Sequence, residues 1–205
     1  MASKADVLVI DDDAGMRLSI SYVLQKAGFD CKEYKSGRGF FQEWDGEFPG
    51  CLVVDYQLPD MTGLSLIQDV RKSYEKLPFV LVTGYGTVAI AVEAMQLGAV
   101  TVIEKPFQHL ELIEAVGNAT ELSTHLYESE LKQKDLQQQL LSLTARERQV
   151  AALVADGNLT KQIAKSLGIS TKTVEVHRSH ITKKLGVSSV AQLVQLFLSA
   201  SIDLG

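Results

Sequence analysis

The chain has 205 residues, 46% of them hydrophobic, and a formal net charge of −5 at pH 7. This excludes a disordered chain and suits two small domains with buried cores. No apolar stretch reaches the roughly 20 residues of a membrane span, and the start, MASKAD, lacks a signal peptide's basic-then-apolar build, so a cytoplasmic protein with no membrane partner is expected.

Five short β-branched runs, DVLVI, FDCKEYK, CLVVD, FVLVT and VTVIE, alternate with helix-patterned stretches across residues 1–119. Such a βαβ succession predicts a doubly wound α/β domain with a five-stranded parallel sheet. The LVI and LVV segments are apolar without alternation, as in central strands covered on both faces. Cys31 and Cys51 lie in or beside strand-like runs without metal-ligand spacing and read as reduced core residues. From 108 to 141 there is no proline and one glycine, and ELKQKDLQQQLLSL is rich in helix formers. A long helix is therefore expected, with residues 120–142 as a linker between domains. Leu122, Leu126, Leu136 and Leu140 sustain no heptad, which argues against a coiled coil.

Beyond Leu143 the pattern turns to short helices, expected near 145–156, 160–167, 171–185 and 188–199. Thr144 and Glu147 have capping-box spacing, and Ser170 or Thr171 caps the third helix. Residues 143–205 thus read as a small all-α, four-helix domain. They carry eight Lys and Arg against four Asp and Glu, whereas residues 1–119 carry 10 against 17. A basic tail behind an acidic front suits a polyanionic partner. Ile163, Ala164 and Leu167, then Val174, Ile181 and Leu185, fall at core spacing on either side of a turn at Gly168 and Ile169. That is helix-turn-helix geometry, in which the second helix enters a DNA major groove. His177 and His180 stand three apart with no third ligand, so surface or phosphate-facing histidines are favoured over a metal pair. Val190, Leu193, Val194 and Phe197 offer either core or a dimer surface.

In the front domain the strand ends deliver Asp11 and Asp12, then Asp55, Thr83 and Lys105, and sheets of this kind bind ligands at those carboxyl ends. Three ionised carboxylates in one cleft raise one another's pKa, a conflict that a hard divalent cation and a lysine relieve. Asp13, just before the first helix, reads as its N-cap. Pro59 and Gly63 read as turn formers.

The motifs VIDDD, LVVDYQLPDMTG, LVTGYG and VIEKPF resemble the receiver domain of bacterial two-component response regulators, over residues 6 to about 119. The tail, LTARERQVAALVADGNLTKQIAKSLGISTKTVEVHRSHITKKLGV, is similar to the LuxR-type helix-turn-helix module. The combination resembles NarL/FixJ regulators, and AVEAMQLGAVTVIEKPF is especially FixJ-like. This resemblance implies a flavodoxin-like sheet of order 2-1-3-4-5, a receiver over 1–119 and a DNA-binding domain over 143–205. It further implies that Asp55 accepts a phosphoryl group from a sensor histidine kinase. Asp12 and the backbone carbonyl of Gln57 would then hold Mg2+ (or Mn2+), with Asp11 acting largely through water. Lys105 would pair with the phosphoryl oxygens and the Thr83 hydroxyl would bond one of them. The family has a cis peptide at Lys105–Pro106, which sequence leaves open.

In the tail, the resemblance implies that Glu175, Val176 and Ser179 face base edges while Lys161, Lys172, Thr173 and Lys183 meet phosphates. Phosphorylation would promote a homodimer on promoter DNA, with RNA polymerase as a further partner. One departure concerns Val102, where many receivers carry a Phe or Tyr that swings on activation. The signal from Thr83 is then expected to rest on backbone movement around 83–90 and on the 87–97 helix, with Tyr85 as a weaker substitute. A phosphatase working through an aspartyl-phosphate is the competing enzyme class, but it wants an acid where Gln57 stands. Slow self-phosphorylation and self-dephosphorylation are expected instead of enzymatic turnover. A direct small-molecule sensor lacks support, because the polar strand ends converge on one acidic site.

Overall fold

The computed structural model describes residues 6–44, 50–74, 76–187 and 189–199, and the chain divides into two compact units, Met1–Tyr127 and Glu128–Gly205. The first unit alternates β1 (Asp6–Ile10), α1 (Ala14–Lys26), β2 (Asp30–Tyr34), α2 (Gly37–Glu43), β3 (Cys51–Asp55), α3 (Gly63–Arg71), β4 (Phe79–Thr83), α4 (Val88–Gln96) and β5 (Ala99–Glu104), before α5 (His109–Leu141). Every strand pairing is parallel and the order is β2-β1-β3-β4-β5, the expected doubly wound sheet.

The pleat sorts the apolar strand residues into two cores. Leu8, Ile10, Leu52, Val54, Phe79 and Leu81 pack on one face with Phe40, Leu64, Ile67 and Ala94 from α2, α3 and α4. Val7, Val9, Cys51, Val53, Val80 and Val82 pack on the other with Ile20, Leu24, Leu112 and Val116 from α1 and α5. Both faces being covered, every residue of β3 and β4 is buried. Each fully buried Leu, Val or Phe contributes on the order of 1.5–3 kcal/mol, which is why these strands show no polar alternation.

β1 lies between β2 and β3, so the chain crosses to one side for β2 and to the other for β3. The reversal leaves a crevice beyond the carboxyl ends of β1 and β3. Register places Ile10 opposite Val54, Asp55 opposite Val82 and Thr83 opposite Glu104. The polar residues at and just after these positions therefore share one edge of the sheet.

The second unit contains the end of α5, then α6 (Ala145–Ala155), α7 (Thr160–Leu167), α8 (Thr171–Leu185) and α9 (Val190–Ser199). Its core joins Leu140, Leu143, Val150, Val154, Ile163, Val174, Ile181, Leu185 and Leu193, with Leu136 packed against it. Leu136 and Leu140 thus serve this core and not a coiled-coil seam. Gly168 ends α7 at φ +65°, a left-handed conformation that L side chains rarely adopt. The turn brings the Ile169 N–H to the Ala164 carbonyl at 3.0 Å, satisfying a terminal acceptor of α7. Of the residues offered as core or dimer surface, Leu193 is buried and Val194 half-buried, while the side chains of Val190 and Phe197 lie outside the described residues, as does residue 188, where α9 was expected to begin. Among the described residues no helix is long and apolar enough to cross a membrane.

Candidate functional site

The loop after β1 is held by its own carboxylates. Asp11 donates its N–H to the Tyr34 carbonyl at 3.2 Å. Its Oδ1 accepts the Asp13 N–H at 2.9 Å, and its Oδ2 accepts from Lys105 Nζ at 2.8 Å. Asp13 caps α1 as expected, its Oδ1 accepting the Met16 N–H at 2.9 Å. Hydrogen bonds from the N–H groups of Met16 and Gly15 hold the Asp13 carboxyl below the ordinary range.

Lys105 reaches back across the sheet edge to bond Asp55 Oδ1 as well, again at 2.8 Å. Asp55 Oδ2 accepts the Gln57 N–H at 3.2 Å. Burial pushes the Asp55 carboxyl up and the neighbouring Asp11 charge adds to this, against the pull of Lys105. For Lys105, burial pulls the ammonium down, but the bonds to Asp11 and Asp55 outweigh it and its pKa is raised. Asp11 and Asp55 are buried and Asp12 is exposed, and one oxygen from each of the three lies within 4.8 Å of the other two. Three carboxylates with one ammonium leave two negative charges on an all-oxygen donor set, which fits a hard divalent cation.

Thr83 is buried at the end of β4, where its Oγ1 accepts the Tyr85 N–H at 3.1 Å and its carbonyl accepts the Lys105 N–H at 2.8 Å. Gln57 pairs through its backbone with Thr62 at the rim. The Lys105–Pro106 bond is cis. Val102 is half-buried against the apolar face that contains Leu81, and Tyr85 is exposed. Gly63 is more than a turn former: its N–H donates to the Tyr56 carbonyl at 2.8 Å, and a Cβ there would collide with the Asp55 carbonyl. Asp60 accepts from the Gly37 and Arg38 N–H groups at 3.2 and 2.7 Å, fastening the loop after Asp55 to the start of α2.

In the second unit α7 and α8 form the expected helix pair. Val174, Ile181 and Leu185 are buried, whereas Lys172, Glu175, Val176, Ser179 and Lys183 are exposed on α8 and Lys161 is exposed on α7. Thr173 is half-buried, and its hydroxyl and N–H are engaged with the cap Ser170 at 2.8 and 3.0 Å. His180 is exposed, as expected of a surface histidine, and its Nδ1 lies 3.7 Å from Glu147 Oε1 on α6.

Residues 7–117 match the family described as response regulator receiver domain, and residues 141–197 match the bacterial regulatory proteins of the luxR family. The transcriptional regulatory protein FixJ of Bradyrhizobium diazoefficiens is 35% identical over 202 residues, covering 98% of each chain. Among solved structures, the response regulator StyR superposes with a TM-score of 0.88 at 36% identity, covering 96% of this chain and 99% of that one. Full-length FixJ from B. japonicum gives 0.59 at 34% identity, with 98% of both chains covered. The chain belongs to the NarL/FixJ family of two-component response regulators.

A NarL/FixJ regulator joins a receiver to a LuxR-type DNA-binding module, so this regulator is a transcription factor with a histidine kinase as partner. Receivers normally use Mg2+, and the Asp11, Asp12 and Asp55 cluster has the chemistry to hold it. Sequence reasoning missed Arg17, whose Nη1 donates to the Asp11 carbonyl at 2.7 Å and the Asp12 carbonyl at 3.4 Å. It also missed the Lys184 Nζ to Glu147 Oε2 pair, at 2.7 Å.

Proposed function

We propose that this regulator is switched by phosphorylation of Asp55 and acts as a homodimer on promoter DNA in the cytoplasm, with RNA polymerase as a further partner. Its parts are a receiver over residues 1–119, a linker over 120–142 and a DNA-binding domain over 143–205. The observation that carries the reading is the Lys105 ammonium bridging Asp11 and Asp55 at 2.8 Å each, with Asp12 beside them.

An oxygen of Asp55 attacks the phosphorus of a phosphohistidine on the kinase. The new O–P bond forms as the P–N bond breaks, and the imidazole nitrogen leaves with its electron pair. Asp11, Asp12, Asp55 and the Gln57 carbonyl would hold Mg2+ (or Mn2+), which when bound supplies positive charge against the oxygens of the transferring group. Lys105 then pairs with those oxygens, and the Thr83 hydroxyl donates its hydrogen to one of them. Tyr85, whose N–H rests on that same hydroxyl, carries the change into the segment before α4. This backbone route suits a chain with Val102 in place of a swinging aromatic ring. Self-association is supported by α4, where Val88, Val92 and Met95 are 82%, 49% and 54% exposed. Such a row of apolar side chains is an interaction surface in waiting. For DNA, the exposed Glu175, Val176 and Ser179 suit base edges, and Lys161, Lys172 and Lys183 suit phosphates, with Thr173 at the helix start.

The test adds a small phosphodonor with Mg2+ and follows self-association and promoter footprinting for the wild type and Asp55→Asn. Wild type is expected to dimerise and protect its site while Asp55→Asn does neither. Equal behaviour of the two proteins overturns the reading.

A further inference from the structure

We propose that Arg17 is the positioning residue of the acidic loop and sets where the Asp12 carboxylate stands. The proposal rests on the reading of Asp11, Asp12 and Asp55 as a divalent-cation site.

Asp11 and Asp55 are each fixed through their own side chains, to Lys105 and to the backbone N–H of Asp13 or Gln57. Among the described residues the Asp12 carboxylate has no hydrogen bond or ion pair. Its position therefore follows from the backbone of residues 11–13. The Arg17 guanidinium donates through Nη1 to the carbonyls of Asp11 at 2.7 Å and Asp12 at 3.4 Å. The Arg17 backbone N–H bonds the Asp13 carbonyl at 2.9 Å. One residue thus touches the carbonyl of every aspartate in the run. Arg17 is itself anchored, its Nε lying 3.4 Å from Glu33 Oε2 on β2, with the two side chains 17% and 30% exposed.

Charge does not account for this placement. A cation beside a cation site repels the ion that should bind, and Glu33 offsets that positive charge. Geometry remains: a planar guanidinium presents five donors in a fixed fork and holds carbonyls and a carboxylate together, which a lysine ammonium on a flexible stem does less well. Arg17 acts through the loop and touches neither the phosphoryl group nor the cation.

The test titrates Mg2+ alone into the full-length protein by calorimetry, then follows phosphorylation by acetyl phosphate across Mg2+ concentrations, with melting temperature recorded for each variant. Arg17→Gln is expected to raise the Mg2+ dissociation constant roughly tenfold or more, the range seen when partners behind metal ligands are removed. Its rate at saturating Mg2+ is expected to stay within about twofold of wild type, because binding alone is weakened. Arg17→Lys and Glu33→Gln shift the constant in the same direction by less, and they carry the test if Arg17→Gln fails to fold. A lowered melting temperature with unchanged Mg2+ binding in these variants overturns the proposal, since Arg17 would then only tie α1 to β2. Asp12→Ala separates the two readings. Its loss of Mg2+ binding beside unaffected Arg17 variants overturns the positioning role alone, whereas wild-type binding by Asp12→Ala overturns the cation site and the proposal with it.

Discussion

Asp12 and Asp13 are adjacent, yet truncating them removes different things. Asp12→Ala deletes a carboxylate that no neighbour among the described residues holds, and is expected to abolish Mg2+-dependent phosphorylation while leaving the melting temperature near that of wild type. Asp13→Ala deletes the acceptor for the Met16 N–H and is expected to lower the melting temperature by a few degrees, roughly as the loss of a cap does, with phosphorylation retained. Radiolabelled phosphodonor incorporation beside thermal melts separates the two. Gly63→Ala is expected to cost both stability and phosphorylation rate, because its Cβ has no space beside the Asp55 carbonyl. These sites differed in legibility for a physical reason. Asp11, Asp55, Thr83 and Lys105 follow β-branched runs, and parallel strands bring their carboxyl ends together whatever lies between them. Arg17 left no such trace, because it bonds main-chain carbonyls and a glutamate on another strand. His180 is exposed, as a surface histidine should be, and its approach to Glu147, which depends on how two helices cross, is what the spacing did not show.

Helix α6 shows what an element gains from such a crossing. Thr144 and Glu147 complete the expected capping box, with Thr144 N–H to Glu147 Oε2 at 2.8 Å and Glu147 N–H to Thr144 Oγ1 at 3.2 Å. Spacing alone revealed that motif, since it is local. The Lys184 partner comes from α8, 37 residues away, and is invisible to any local pattern. Bonded first by Lys184 and then by the Thr144 N–H, the Glu147 carboxyl is held down at about 2, against an ordinary value of 4.5. A carboxyl with a lowered folded pKa contributes stability that is present above its unfolded value and lost as pH falls through the folded one. Melts of the second unit within the full chain should therefore lose stability between about pH 4.5 and 2, and Glu147→Gln should flatten that part of the profile. At neutral pH the same substitution is expected to cost about 1.5–3 kcal/mol, the worth of a charged hydrogen bond. The central strands and the helix limits were legible because β3 and β4 are covered on both faces and the helix caps are local, whereas the strand order was implied only by the family resemblance. The unbroken α5 was legible too, because helix-forming residues without proline fill both sides of residue 120.

At the scale of the whole molecule, the acidic front and basic tail predict different dependences on salt. Promoter affinity should fall steeply as salt rises, because each neutralised phosphate releases counterions, and Lys161→Ala should reduce the slope of log affinity against log salt by about 1. Fluorescence anisotropy across a salt series measures this. Driving a two-state switch from 1:99 to 99:1 takes about 5.5 kcal/mol, a load that phosphoryl contacts and a dimer interface would share. Val92→Glu on the exposed face of α4 is expected to block phosphodonor-induced dimerisation in sedimentation while leaving Asp55 phosphorylation intact. The hydroxyl of Thr83 bears on how such a switch is dissected. It has one hydrogen and two lone pairs, and one lone pair already serves the Tyr85 N–H. An alanine there silences the sender and unties the listener in a single stroke. A serine keeps both lines open, so comparing Thr83→Ser with Thr83→Ala tells a broken message from a loosened wire.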